Sequence, residues 1–510
     1  MSDRHYLLKV MGLSFIPRLV TVGLTMISFP LMVRSLGASQ FGVVIFIGAI
    51  TSVLESFVDF GVSSAAGKEV AAARETRTVS LDAVIRRWAR LQATVALVGL
   101  VPLLGATYVV ASASSNIEFS FRVLAILVFA TWISISLNFV RACMTSVLAF
   151  KSLAALDVFE SIFRSASWLL VAYRMPSTLG LAVANVTTAT CASILGAIVL
   201  LRFLSGYKAT RALANEKLPS THLSLSIKNM LNESFNFLWL RLGSRVFSSI
   251  PTVVFGRMFG SELVGIIGAF AKIVELINFP FAVIGNALAV RAAGVVAKGS
   301  AAAKVLWDLV SRLIAVALMF SMTTYLGAEL IAKVLLPNTP GAGAIISILS
   351  VTGITLAVSS VIGPMSDYVG ALRSRNILLT GFAFIEAVAI WFGAHTFGQI
   401  GAIVAYVLVL ALMNCGYVKI ALGAFFPATH YHLRAEVSYF LTITVAALFL
   451  TFILHRALGL DHLSSLHSFN VRFVDIAFLW LSVLTGLMLH QPAKKFFLTR
   501  VFFDFQTQNT

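Results

Sequence analysis

Apolar segments separated by charged or turn residues run along the whole chain. They fall at 10–33, 41–66, 92–112, 122–148, 153–173 and 178–201, then at 235–257, 263–289, 307–326, 341–363, 376–395 and 398–421, and finally at 436–455 and 472–489. Each is close to the ~20 residues a helix needs to cross a bilayer, and a helix satisfies its own backbone groups there. The pattern predicts an all-α polytopic membrane protein of about fourteen transmembrane helices. Segment 153–173 carries Asp157, Glu160 and Arg164, so it is expected to turn one face to a polar cavity.

Composition agrees with the pattern. Of 510 residues 59% are hydrophobic and only 12% charged, and mean hydropathy is +0.93. Such a chain cannot cover itself with a wettable surface. Cys143, Cys191 and Cys415 lie inside apolar runs without metal-ligand spacing, which suggests neither a disulfide framework nor a zinc site. Arg4 and Lys9 precede a first segment longer than a signal-peptide core and without a small-residue cleavage site, so it is expected to be a retained span.

The net charge of +17 follows topology. With both termini cytoplasmic, the outer segments hold Arg34, Arg122, Arg174, Arg257, Lys333, Arg456 and Arg472, while most of the remaining cations fall in inner segments. That asymmetry is the positive-inside pattern. Cations dispersed over loops in this way speak against a nucleic-acid binder.

The chain also repeats itself. With an offset of 223 residues and no gap, Arg18 falls on Arg241, Arg34 on Arg257, Gly37 on Gly260, Gly42 on Gly265 and Lys68 on Arg291. Later landmarks keep nearly the same offset: Lys151-Ser152 recurs as Arg373-Ser374, and Leu179-Gly180 resembles Ile400-Gly401. The expected architecture is two parallel six-helix lobes around a central cavity, plus two C-terminal helices. The first lobe covers 1–201, a cytoplasmic linker 202–234, the second lobe 235–422, and residues 423–510 carry spans 13 and 14 with a cytoplasmic tail. The end of the linker, Leu223 to Leu231, reads either as an amphipathic surface helix or as a passive connector.

Ionisable residues inside spans are expensive and mark functional positions. The cations are Arg18, Arg141, Arg164, Arg241, Arg245, Lys272 and Arg312. Arg141 and Arg312 lie near inner ends and can snorkel. Arg18, Arg241 and Arg245 lie deeper, and the last two share a helix face. A guanidinium fork matches phosphate oxygens bidentately, so these three, with Lys272 and Arg164, are candidate ligands for an anionic, phosphate-linked substrate. The carboxylates Glu55, Asp59, Glu275 and Glu386 either bind H+ or Na+ for coupling or pair with the cations. Asp59 is expected where water reaches it, and Glu386 is isolated. Pro17, Pro30 and Pro251 are candidate hinges, and Pro280 and Pro364 also lie inside spans.

Catalytic motifs are missing: the sequence contains no GxxxxGK[ST], HExxH or GxSxG. His430, His432, His455, His462 and His467 fall in or beside loops and read as solvated rather than metal-bound. No cofactor is expected, and the protein is not expected to be an enzyme.

Leu36-Gly37-Ala38-Ser39-Gln40-Phe41-Gly42, then Asp59-Phe60-Gly61 and Lys68-Glu69, resemble the N-terminal pattern of bacterial polysaccharide transporters. These are the O-antigen and exopolysaccharide repeat-unit flippases of the multidrug/oligosaccharidyl-lipid/polysaccharide exporter superfamily. The resemblance implies a flippase with a cationic lumen that moves undecaprenyl-pyrophosphate-linked oligosaccharide across the bacterial inner membrane, driven by an ion gradient. It implies as partners the lipid-linked oligosaccharide, membrane lipids, and the polymerase and chain-length machinery of surface polysaccharide or lipopolysaccharide synthesis. Lipid II flippases share the span count, but the Asp-Ala-Phe and Pro-Asn-Leu-Leu-Arg-type run of that family is missing here. Multidrug cation antiporters commonly use a carboxylate on span 1, where this chain has Arg18. A membrane glycosyltransferase or polymerase would need a large acidic outer loop, and the longest outer stretches hold only Glu329 and Asp461.

Overall fold

The computed structural model describes residues 3–76, 80–112, 120–147, 149–213, 227–297, 319–368 and 372–425, with Leu313, Val316 and Ala317. Every element among them is helical. In chain order these are α1 (Asp3–Asp59), α2 (Val62–Thr76), α3 (Leu81–Ser112), α4 (Phe121–Ser146), α5 (Phe150–Arg174) and α6 (Thr178–Leu213). They are followed by α7 (Ile227–Phe259), α8 (Ser261–Ala297), α9 (Ala328–Leu335), α10 (Ala342–Leu349), α11 (Thr352–Tyr368) and α12 (Leu372–Phe425).

Glycines set the breaks. α1 holds two predicted spans and bends between them at Gly37 (φ 78°), and α12 does the same at Gly398 (φ 66°). Gly260 (φ 84°) separates α7 from α8, and Phe60 with Gly61 (φ 50° and 73°) separates α1 from α2. Positive φ is the conformation a Cβ disfavours and glycine adopts freely. The prolines do not break their helices. Torsions inside α1 are non-helical only at Gly37, so the helix runs through Pro17 and Pro30, and α7 continues through Pro251. The hydroxyl of Ser177 accepts a hydrogen bond from the Gly180 amide (3.1 Å) and caps the start of α6.

Seven segments among the described residues are long and apolar enough to cross a membrane, and two of them, Leu19–Asp59 and Arg373–Ala421, are the bent pairs of α1 and α12. α5 and α7 carry the charged positions that keep them out of that group. The apolar segment 341–363 is two helices, α10 and α11. Ile227, Met230 and Leu231 begin α7, and spans 13 and 14, Arg312 and the five loop histidines lie outside the described residues.

Two compact units divide the chain. The larger comprises 1–279, 332–345 and 376–413. In it α1 packs on α3, α4, α5, α6 and α7, α2 packs on α3, α4 and α7, and α4 packs on α6. Trp88, Phe46, Phe29, Ile47 and Leu124 fill its interior with under 2% or about 2% of their surface exposed. The smaller comprises 280–331, 346–375 and 414–510. Within it, Gly285 packs so closely on Ser360 and Val361 that a Cβ would strike their backbone, and Phe281 meets Phe320 edge-on.

The outward face is oily. Val98, Val101 and Val109 on α3, and Phe384, Phe392 and Phe397 on α12, are more than half exposed. Contiguous apolar exposure on helices of this length is a lipid-facing surface. The protein is a multi-pass membrane protein.

Candidate functional site

α1 and α8 meet through a local two-fold relation that the repeat anticipates. A Cβ at Gly42 would strike the Ser261 carbonyl, and one at Gly265 would strike the Ala38 carbonyl. With the 223-residue offset these are the same contact made twice, since Gly265 corresponds to Gly42 and Ser261 to Ala38. Ile45 covers Gly268, its own counterpart, and Ser39 and Ser261 share a hydroxyl hydrogen bond of 2.9 Å.

The charged cluster lies where α1 ends. Asp59 is its last helical residue, and the left-handed turn at Phe60 and Gly61 carries the chain into α2. Gly61 lets α7 come close: a Cβ there would collide with the Ser234 carbonyl and the Leu238 amide. That approach brings Arg241 onto the Asp59 carboxylate, where Nη1 pairs with Oδ2. The other carboxylate oxygen accepts the Ser63 hydroxyl at 2.5 Å. Asp59 is buried, with 1% of its side chain exposed, whereas Arg241 keeps 32%. Water therefore does not reach Asp59 as the sequence suggested, because α7 closes over it.

One turn earlier, Glu55 accepts a hydrogen bond from Asn138 Nδ2 of α4 (2.8 Å) and lies within the fields of Arg245 and Arg241. Arg245 is exposed, and no carboxylate among the described residues is within ion-pair distance of it. Ser52 and Ser249 bridge α1 to α7 at 3.0 Å. Beyond the Asp59 turn, Lys68 of α2 pairs with Glu233 of α7 at 2.5 Å, and Phe60 leans on Phe235.

A second network joins α4 to α5. Arg141 donates to Asp157 at 2.8 and 3.1 Å and to Glu160, while Arg164 lies 3.6 Å from the other Glu160 oxygen. Lys272 and Glu275 pair with each other on an exposed face of α8 (2.6 Å). Glu386 on α12 is fully buried, and neither of its carboxylate oxygens has a hydrogen-bond partner among the described residues. The side chains of Arg18 and Pro17 lie outside the described residues, although their backbone belongs to α1. Pro30 is half-buried and Pro251 buried.

The structure thus gathers Glu55, Asp59, Arg241 and Arg245 into one cluster. Arg164, Lys272, Glu275 and Glu386 are not hydrogen-bonded or ion-paired to it. Sequence reading missed Asn138, Ser63 and the Lys68–Glu233 pair. The signal for the first was an amide inside an otherwise apolar segment, and for the others only proximity in space. Among the described residues no three His, Cys, Asp or Glu side chains form a metal-binding group.

Several solved structures share the fold. A multidrug resistance MATE family transporter of the MOP superfamily, in its inward-facing conformation, superposes with a TM-score of 0.64 at 13% identity, covering 79% of this chain and 94% of its own. The lipid II flippase MurJ, in an inward closed conformation, gives 0.60 at 12% identity over 94% of this chain and 99% of its own. A MOP superfamily transporter from Pyrococcus furiosus gives 0.51 at 14% identity over 82% and 93%. No curated protein sequence matches the chain. The folds it is similar to are those of membrane transporters and flippases, not of enzymes. Residues 7–289 match the family described as polysaccharide biosynthesis protein, and they carry the α1–α8 contact and the whole Asp59–Arg241 cluster; the chain belongs to that family.

Proposed function

We propose that this protein flips undecaprenyl-pyrophosphate-linked oligosaccharide repeat units across the bacterial inner membrane for surface polysaccharide synthesis. The glycan is an O-antigen or exopolysaccharide unit, and the lipid-linked oligosaccharide and surrounding membrane lipids are its partners, with a polymerase and chain-length machinery downstream. Both termini face the cytoplasm and fourteen spans cross the membrane. Two lobes, 1–201 and 235–422, joined by 202–234, alternate access to a shared cavity, and 423–510 adds the last two spans.

The observation that carries this reading is the pair of arginines one turn apart on α7. Arg245 is open and Arg241 is held by a carboxylate that a phosphate could replace. Guanidinium groups on a membrane-embedded helix suit a pyrophosphate headgroup and repel a cationic drug. Arg18, the counterpart of Arg241, extends the cationic lining, with Lys272 and Arg164 as outlying ligands. Glu386 is the first choice for coupling, because its buried carboxyl has no hydrogen-bond partner among the described residues and H+ or Na+ would supply one. Glu55, Asp59 and Glu275 already have partners.

The test is lipid extraction and mass spectrometry on cells depleted of the protein, with surface polysaccharide stained in parallel. Complete pyrophosphate-linked repeat units should accumulate on the cytoplasmic leaflet while surface glycan disappears. Unchanged surface glycan with accumulating lipid II would transfer the assignment to the lipid II pathway.

A further inference from the structure

Arg241 is not waiting empty for a substrate. Its guanidinium already binds an anion, and that anion, Asp59, is built as a fixed ligand: almost fully buried, oriented by the Ser63 hydroxyl, and presented by the left-handed turn at Phe60 and Gly61. The contact spans two elements, α7 on one side and the α1–α2 corner on the other. The same two sides are tied again by Lys68–Glu233 and by the close seat of Gly61 on Ser234 and Leu238. The repeat shows that the carboxylate is particular to this half: the counterpart of Arg241 is Arg18, whereas the counterpart of Asp59 is Ala282.

We infer that Asp59 is the resident occupant of the anion site at Arg241, a carboxylate that a phosphate-bearing lipid headgroup must displace. Displacement removes the buried one of the ties that hold the α1–α2 corner to α7, so filling the site loosens this seam. The inference rests on the reading that the substrate is an anionic lipid, and it adds a competitor inside the protein and a moving part. A carboxylate offers two oxygens to a guanidinium fork and a pyrophosphate offers more with higher charge, so exchange at one fork is chemically direct. By linkage, a ligand that binds only the unlatched state shifts the seam toward that state by its differential affinity. Arg245, four residues along the same face, gives the incoming phosphate a first contact before Arg241 is released.

The experiment uses the full-length protein in nanodiscs, with the native cysteines replaced and cysteines introduced by Lys68→Cys and Glu233→Cys. A short bismaleimide reports whether α2 and α7 are together. The probe is undecaprenyl pyrophosphate, with uncharged undecaprenol as control, and binding is followed separately by tryptophan fluorescence. Undecaprenyl pyrophosphate should lower cross-linking severalfold and undecaprenol should not. Asp59→Asn should cross-link poorly without lipid and bind the pyrophosphate lipid severalfold more tightly than the parent, because the internal competitor is gone. The exchange Asp59→Arg with Arg241→Asp should restore cross-linking yet lose the response to lipid. Asp59→Asn that cross-links like the parent and binds no more tightly overturns the inference, leaving Asp59 a structural partner. Pyrophosphate lipid that binds neither parent nor Asp59→Asn overturns the anionic-lipid reading and the displacement with it. Pyrophosphate lipid that binds the parent without loosening the seam overturns the displacement alone.

Discussion

A side chain at position 37 or 260 would have to adopt φ near 78° or 84°. For a residue with a Cβ this costs about 1–2 kcal/mol, and for a β-branched one more, so Gly37→Val and Gly260→Val should each lower the thermal unfolding midpoint in detergent. Gly23, which lies in open space at ordinary helical torsions, should accept Ala without loss. A second residue-scale prediction concerns Glu69 of α2, whose carboxylate accepts the Trp88 indole N–H. Burial pushes Glu69 above the usual carboxylate range, and the nearby Glu233 adds to this against the opposing pull of the Trp88 bond. A carboxyl raised in the folded state contributes stability while protonated and loses it as pH rises through the raised value. Glu69→Gln should therefore gain on the parent as pH climbs from 4.5 upward, measured as the difference in midpoint across a pH series. The candidate arginines were legible one by one, because a cation inside an apolar segment stands out. Their partners were not, because Asp59 and Arg241 are 182 residues apart and only the turn at Gly61 brings them together.

At the scale of elements, periodicity located the helices well and their interruptions less well. The breaks at Gly37 and Gly260 fell between two apolar runs, and the break at Gly398 fell on the first residue of the run 398–421. The division of 341–363 into α10 and α11 was hidden by continuous hydrophobicity. There the hydroxyls of Ser350 and Thr352 bond back to the carbonyls of Ser347 and Leu349 at 2.7 and 2.6 Å, competing with the helical ladder. α5 was legible as a helix with one polar face, and its partners explain why. Arg141 reaches across from α4 to hold Asp157 and Glu160. Removing it with Arg141→Met leaves two half-buried carboxylates facing each other, a loss on the order of 1–3 kcal/mol, while Arg141→Lys should recover part of it. Thermal unfolding of the purified variants measures both. Since the cost is structural, Arg141→Met should reduce the amount of folded protein before it affects transport per molecule.

For the whole molecule, the prediction is functional. Arg18→Ala, Arg241→Ala and Arg245→Ala should each cut surface polysaccharide severalfold with membrane insertion intact, and Lys at the same positions should keep part of the activity. Full transport in all three Ala variants would remove the central anion site from the mechanism. The sequence repeat was visible through a handful of positions, and its consequence in space is the seam between α1 and α8, where Gly42 against Ser261 mirrors Gly265 against Ala38. On that seam Ile45 lies on Gly268, its own counterpart in the repeat. Two identical chains related by a dyad would have to place the same side chain on both sides of it, either a clash or a void. Joining the halves in one polypeptide lifts that restriction and lets a knob face a hole. The fit is then a property of the pair rather than of either residue: Ile45→Gly should open a cavity, Gly268→Ile should overfill the seam, and the two together should recover most of the lost stability.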